Sequence, residues 1–387
     1  MNETTINPFD LFFPLPYRVL FLINVGVFLW HINLITCRKF KINILMVLKL
    51  SPQEITIGKL ILRSWERFIN LTIANSINYL IYFFFISNGF EFSFVDWLPM
   101  FNIILNFAIL IKNNPSIESQ RLSQTIKRII KGNIDVSLRN NDILLADTFT
   151  SYNKVLVDFL IYFSALILGI QTLPYGNDLS KQLTKSHLQI YNIDLLLANF
   201  PSFLRLKQCL QEYNQSKRQN KTHLFNAIKY STAFFPTVSM ILFKTGFLKS
   251  QSLWYFTTFI NSTYSFYWDI THDWNFGFFI KFLSSSNSNV NILRNELLYS
   301  KSAYILAIVI DFQLRFLWIY KLIFVGSESY NGLVPNFFIL LFTTEMGNFI
   351  LEILEILRRW VWVFIKIETE YVKMISLDSM VELQNID

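Results

Sequence analysis

The chain has 387 residues, of which 52% are hydrophobic and 16% charged, with 40 phenylalanines and a formal net charge of +7. A soluble protein of this length carries about 25% charged residues, so the composition excludes a soluble globule and places the chain in the membrane. The positive balance would suit nucleic acid, but its distribution along the chain reports topology instead.

Apolar segments long enough, or nearly so, to cross a bilayer fall at roughly 17–36, 68–88, 97–111, 143–172, 188–204, 224–247, 253–270, 302–325 and 336–357. The first follows an acidic N-terminus without the basic region and small-residue site of a cleaved leader, so it is expected to stay as a helix. Two connections are long. In 37–67 an amphipathic stretch, Ile42 to Leu50, ends at Ser51-Pro52; in 112–142, Arg121 to Lys131 reads as an interfacial helix. Ser284 to Asn289 is a polar loop, and Lys366 to Asp387 is expected to leave the membrane as a helical extension.

The basic residues orient this layout. With the N-terminus lumenal, the cytosolic stretches hold 25 Lys and Arg and the lumenal stretches hold 3. A bias of that size predicts a cytosolic C-terminus and an odd number of crossings. The expected fold is therefore all-α, a polytopic transmembrane helix bundle of about nine spans. It divides into N-terminal helices and loops over 1–142, a core over 143–371 and a cytosolic tail over 372–387. Cys37 and Cys209 fall at cytosolic helix ends, which suggests no disulfide or cysteine metal site.

Charges inside apolar segments usually face a polar cavity or each other. Asp147, Thr150 and Ser151 share a helix face, either as an N-terminal cap or as part of such a cavity. Arg205 fits snorkelling to the interface, and Arg218 lies in a basic loop. Lys229 offers a positive charge to an anion, with Tyr230 as a neutral donor, unless Lys229 snorkels. Asp269 and Asp273, ringed by aromatics, stand one helical turn apart on one face. Arg315 and Trp318 share a face; Asp311 and Arg315 are either a self-neutralising pair or a presented guanidinium. Arg358 and Arg359 end the last segment, as topology anchors or as part of the same site. No phosphate loop, dinucleotide fingerprint, zinc spacing or nucleophile–base pattern is present, so an enzyme is not expected and no cofactor is implied.

In order, the motifs are Leu145-Ala146-Asp147-x-x-x-Ser151, Leu204-Arg205-x-x-Gln208-Cys209-Leu210, Asn226-Ala227-x-Lys229-Tyr230-Ser231-Thr232, Tyr267-Trp268-Asp269-x-x-x-Asp273-Trp274, Leu314-Arg315-Phe316-x-Trp318 and Arg358-Arg359-x-x-Trp362. The set resembles the EXS family, the membrane domain of SPX-EXS phosphate exporters, over about 145 to 371. The resemblance implies a pathway for inorganic phosphate lined by Asp147, Thr150, Arg218, Lys229, Tyr230, Asp269, Asp273, Arg315, Trp318, Arg358 and Arg359. Asp147-Thr148-Phe149 stands where the family form is Asp-Gln-Leu, so contacts of that Gln do not carry over. No SPX domain precedes the match, as in the short fungal Golgi members required for retention of ER lumenal proteins. The implied role is lumen-to-cytosol phosphate export from the Golgi, or alternatively the ER, in contact with membrane lipids. It supports glycosylation and glycosyltransferase retention, and it allows a homodimer. The alternative is a sorting factor that binds retrieval or coat adaptors without transport.

Overall fold

The computed structural model describes residues 8–50, 55–89, 93–112, 117–169, 172–173, 192–283, 291–325 and 333–384, and every regular element among them is helical. Chain order gives α1 (Leu15–Lys39), α2 (Ile57–Ser87), α3 (Leu98–Lys112), α4 (Ile117–Ile130), α5 (Arg139–Ser151), α6 (Asn153–Ile167), α7 (Phe200–Gln215), α8 (Lys221–Thr232), α9 (Phe234–Lys244) and α10 (Ser252–Trp268). A π-helical turn, Asp269–Asp273, follows. Then come α11 (Lys301–Arg315), α12 (Trp318–Phe324), α13 (Leu333–Thr343) and α14 (Glu345–Gln384). The expected interfacial helix is α4. The polar loop from Ser284 and the Ser51-Pro52 stop lie outside the described residues.

The first three helices form a layer of their own. Pro14 and Pro16 start α1, where a missing N–H and a fixed φ favour a first turn. Thr56 caps α2 by accepting from the Lys59 amide at 3.4 Å. Bilayer helices gain little from apolar contact alone, so polar side chains join them. Asn24 donates to Thr72 at 2.8 Å, and Asn102 and Asn106 both donate to the Asn75 side-chain oxygen at 2.9 Å. The outer face of α2 exposes Leu62, Ile73, Leu80 and Phe84, as lipid contact requires.

The sequence suggests nine crossings, but beyond the first layer most segments are not continuous helices. By length and apolarity three helices qualify among the described residues (Leu15–Lys39, Ile57–Ser87 and Phe94–Ile111), and up to five if each bent pair counts as one span. The segment 143–172 is split at Tyr152, 224–247 at Ala233 and 302–325 after Arg315, with a 48° bend. A 90° turn separates the α13 and α14 halves of 336–357. Part of 188–204 lies outside the described residues, and the rest breaks at Asn199, before Pro201.

The breaks have local causes. Pro236 cannot donate to the Thr232 carbonyl, so the helix re-forms after Ala233. At Tyr152 the preceding hydroxyls bond back into the helix, Thr148 to the Leu144 carbonyl at 2.8 Å and Thr150 to the Asp147 carbonyl at 2.7 Å, a pattern that bends helices. After Arg315 the freed carbonyl accepts from Ser262 at 3.3 Å. Nothing in the local sequence explains that last break. Gly347 lets the α14 backbone pass the Leu340 and Leu341 carbonyls at the sharp turn.

Tyr152 also crosses to α1, donating to the Leu22 carbonyl at 3.0 Å, and a Cβ at Gly26 would overlap its hydroxyl. Gly26→Ala is therefore expected to lower stability by about 1–3 kcal/mol. Adding Tyr152→Phe should recover part of the loss by removing the clashing oxygen. Thermal denaturation in detergent reads both; equal loss in single and double variants would contradict the contact.

Helix α14 organises the second layer. It packs on α5, α11, α13 and the short helix Ile44–Val47. Trp274, Trp362, Tyr304, Phe266 and Ile270 form the buried core between these elements. Glu368 of α14 pairs with Arg294 and accepts from Tyr304 at 2.9 Å, which pins the loop before α11.

Candidate functional site

The site is built where the helices break. Freed backbone groups at membrane depth are tolerated only where protein or a polar cavity satisfies them, and here the half-helices carry the buried charges. At one end Asp147 of α5, 2% exposed, accepts from Arg205 Nε at 2.7 Å and from the Tyr230 hydroxyl at 2.5 Å. Arg205 also donates to Gln208 Oε1 at 2.7 Å and lies over the Tyr230 ring at 5.0 Å. Asp147 is thus no helix cap, and Arg205, 1% exposed, does not snorkel. The Tyr230 hydroxyl is committed to Asp147.

The centre is a ladder of alternating charge. Lys229 Nζ lies 2.9 Å from Asp269 Oδ1 and 3.7 Å from Asp273 Oδ2. Asp269 is fully buried and also pairs with Arg315. Arg315 Nε reaches Asp311 Oδ2 at 2.9 Å, and Asp311 Oδ1 takes Arg358 Nη1 at 2.9 Å. Arg358 then grips Glu355 through two bonds, of 2.6 and 3.0 Å. Glu355 accepts from Ser151 at 2.8 Å. Asp273 leads out the other way, to Lys366 at 3.0 Å, which also holds Glu370 at 3.1 Å.

The acidic pair departs from the helix spacing that the sequence suggests. Asp269 and Asp273 bracket a π-turn, closed by the Trp274 amide on the Asp269 carbonyl at 2.9 Å. A π-turn re-aims side chains and recurs at functional positions. It lets both carboxylates face Lys229, while Asp273 reaches Lys366 of α14 and Asp269 stands 4.0 Å from Arg358 of the same helix. Lys229, 7% exposed, is buried and paired, so it does not snorkel.

Arg359 differs from the other cations of the cluster. Its Nε donates to Ser151 Oγ at 3.0 Å and its Nη2 to Thr150 Oγ1 at 3.1 Å, with the Trp362 ring 4.7 Å away. It is 7% exposed, and among the described residues no carboxylate stands within 4.0 Å of it. Arg358 and Arg359 are not helix-end anchors; they sit inside the long helix Glu345–Gln384. Among the described residues its hydrogen bonds go to neutral hydroxyls and not to a carboxylate, an arrangement open to a guanidinium–anion contact.

Two expected residues stand apart from the ladder. Arg218 is exposed in a left-handed turn between α7 and α8 (φ 63°) and is not brought to the cluster. Trp318 acts at one remove: its indole donates to Ser262 at 3.2 Å, and Ser262 donates to the Arg315 carbonyl. Sequence reasoning passed over Arg205, Glu355, Lys366 and Glu370. The last three had a readable signal, since Glu355, Arg359, Trp362, Lys366 and Glu370 recur every three or four residues along one helix face.

These placements separate Arg205 from Arg218. Arg205→Gln leaves a buried carboxylate with one partner and should lower stability by about 3–5 kcal/mol. Arg218→Gln should change it by less than about 0.5 kcal/mol. Thermal denaturation of both purified variants checks this, and equal shifts would contradict the burial.

The EXS family model matches residues 13–372. Protein ERD1 of Kluyveromyces lactis is 33% identical over 306 residues, covering 74% of this chain and 72% of that protein. Protein ERD1 homolog 1 of Schizosaccharomyces pombe is 27% identical over 394 residues, covering 98% and 97%. Human solute carrier family 53 member 1 is 31% identical over 248 residues, which are 59% of this chain and 32% of that one. With a matched region that spans every buried charge described above, the chain belongs to the EXS family, as an all-helical membrane protein.

Proposed function

We propose that this chain is a Golgi membrane phosphate exporter that moves inorganic phosphate from the lumen to the cytosol. The observation that carries the reading is Arg359, a buried guanidinium with no carboxylate within 4.0 Å among the described residues, beside a ladder whose other cations are matched. Similarity to a protein named as a solute carrier supports transport, and the EXS resemblance supplies phosphate as the solute.

Phosphate near neutral pH is a mixture of mono- and dianion with oxygens spaced for a guanidinium fork. It would replace the Ser151 and Thr150 hydroxyls on Arg359. Arg358, held by Glu355 and Asp311, stands next along the ladder, then Arg315 and Lys229. The carboxylates keep these cations aligned and stop the pathway from holding the anion too tightly, since conduction needs release as well as entry. Thr150 already accepts from Arg359 and donates to the Asp147 carbonyl, so it supplies orientation rather than a free donor.

In this reading each broken helix pair crosses the bilayer once, with the N-terminus lumenal and the C-terminus cytosolic. Retention of ER lumenal proteins and of Golgi glycosyltransferases follows from removing the phosphate that glycosylation releases. The test uses sealed, right-side-out Golgi vesicles loaded with radiolabelled phosphate, with and without the chain. Faster release with the chain is expected; equal release would overturn the proposal. Terminal tags on the same vesicles should show the N-terminal tag protected from protease and the C-terminal tag cleaved.

A further inference from the structure

Away from the ladder, a cleft of about 190 Å³ runs between the first half of α11 and the middle of α14. Its floor on α11 is small, with Ala303 and Ala307 one turn apart on one face. Its walls are large: Tyr299 just before α11, and Trp360 and Phe364 one turn apart on α14. The Tyr299 and Phe364 rings stack at 4.3 Å. Alanines on one helix set against aromatics on the other leave a hollow that neither helix fills.

Three observations describe what the cleft faces. Leu306 lines it and is 58% exposed, and Ile305 and Val309 beside it on α11 are exposed as well, so its mouth opens where acyl chains lie. One end is basic. Lys301 follows Tyr299 by two residues, and the Phe40 ring meets Tyr299 edge-on at 4.7 Å with the Lys39 ammonium 6.0 Å from its centre. Lys39 and Lys301 are both exposed. Finally, two lining residues carry buried polar atoms, the Tyr299 hydroxyl and the Trp360 indole N–H, that have no hydrogen-bond partner among the described residues. Buried donors of this kind call for an acceptor.

A sterol fits an apolar hollow but brings a single hydroxyl and no charge for the lysines. A phospholipid brings all three parts: a chain for the alanine floor, ester carbonyls as acceptors near Tyr299 and Trp360, and a phosphate for Lys39 and Lys301. A cavity of about 150 Å³ holds one benzene, so the cleft takes a stretch of one acyl chain while the rest of the lipid stays in the bilayer. We propose that the cleft between α11 and α14 is a binding site for one anionic phospholipid, with its headgroup at Lys39 and Lys301. The lipid joins the two helices that carry Asp311, Arg315, Arg358 and Arg359, and so braces the ladder from outside. The site does not rest on the export reading.

The test is native mass spectrometry of the purified, delipidated chain in a sugar detergent, titrated with dioleoyl phosphatidylserine and with dioleoyl phosphatidylcholine. The wild type should take up one phosphatidylserine ahead of any other, about tenfold more tightly than phosphatidylcholine. Ala303→Phe fills the floor and should weaken both lipids by about tenfold, the equivalent of about two buried methylenes. Leu306→Trp crowds the mouth from an exposed position and should weaken both alike, so it decides the matter if Ala303→Phe does not fold. K39Q/K301Q should bring phosphatidylserine down to the affinity of phosphatidylcholine. Phosphatidylserine binding unchanged in the folded cleft variants, or unchanged in K39Q/K301Q, would overturn the site, as would its displacement by an equal concentration of cholesterol.

Discussion

Replacing Arg359 by Gln should abolish phosphate flux while leaving the protein folded. Glutamine can still donate to Ser151 or Thr150, so no buried group is stranded, and among the described residues no carboxylate within 4.0 Å loses a partner. What disappears is a guanidinium that, among the described residues, has no carboxylate within 4.0 Å and can take an oxyanion. Two charge-assisted bonds to phosphate correspond to a loss of about 100-fold or more in binding. The same exchange at Arg358 has a different signature. It strips Glu355 and Asp311 of a shared partner, so flux and thermal stability should fall together. Flux in reconstituted vesicles and denaturation of the same preparations separate the two. A large stability loss in Arg359→Gln, or unchanged flux, would contradict its assignment.

The second large effect concerns the acidic pair, whose members are not equivalent. Asp269 is fully buried and balances Lys229 and Arg315 together. Asp269→Asn leaves two buried cations facing one neutral amide, and should lower stability by about 3–5 kcal/mol with loss of transport. Asp273 is a more distant partner of Lys229, and Lys366 keeps Glu370 if Asp273 is neutralised. Asp273→Asn should therefore cost about 1.5–3 kcal/mol, less than Asp269→Asn, and should also lower turnover. Equal denaturation shifts in the two variants would show that the π-turn does not divide their roles.

That division marks the limit of what the sequence discloses. Lys229, Arg315 and the acidic pair are legible because charge within an apolar run must be matched or solvated. Arg205 is not, because a basic residue at the edge of an apolar segment is explained equally well by topology. Arg358 and Arg359 are adjacent in sequence, yet successive helical residues point about 100° apart. One therefore meets Asp311 and the other meets two hydroxyls, a difference set by the packing of α5 and α11 on α14. The breaks were hidden for a related reason. Hydropathy averaged over a span records apolarity and not continuity, so Pro236 and the hydroxyl run before Tyr152 pass unseen inside 224–247 and 143–172. All-helical membrane architecture followed from composition; the half-helices that assemble the site did not.

The central claim is transport of phosphate by this chain alone, and flux in liposomes tests it most directly. Purified protein would be reconstituted into phosphate-loaded vesicles, and release of radiolabelled phosphate followed against protein-free vesicles and vesicles carrying Arg359→Gln. The account predicts saturable release with the wild type and release at the protein-free rate with the variant, at equal amounts of folded protein. Wild-type release no faster than the protein-free control, or equal release from both proteins, would contradict it.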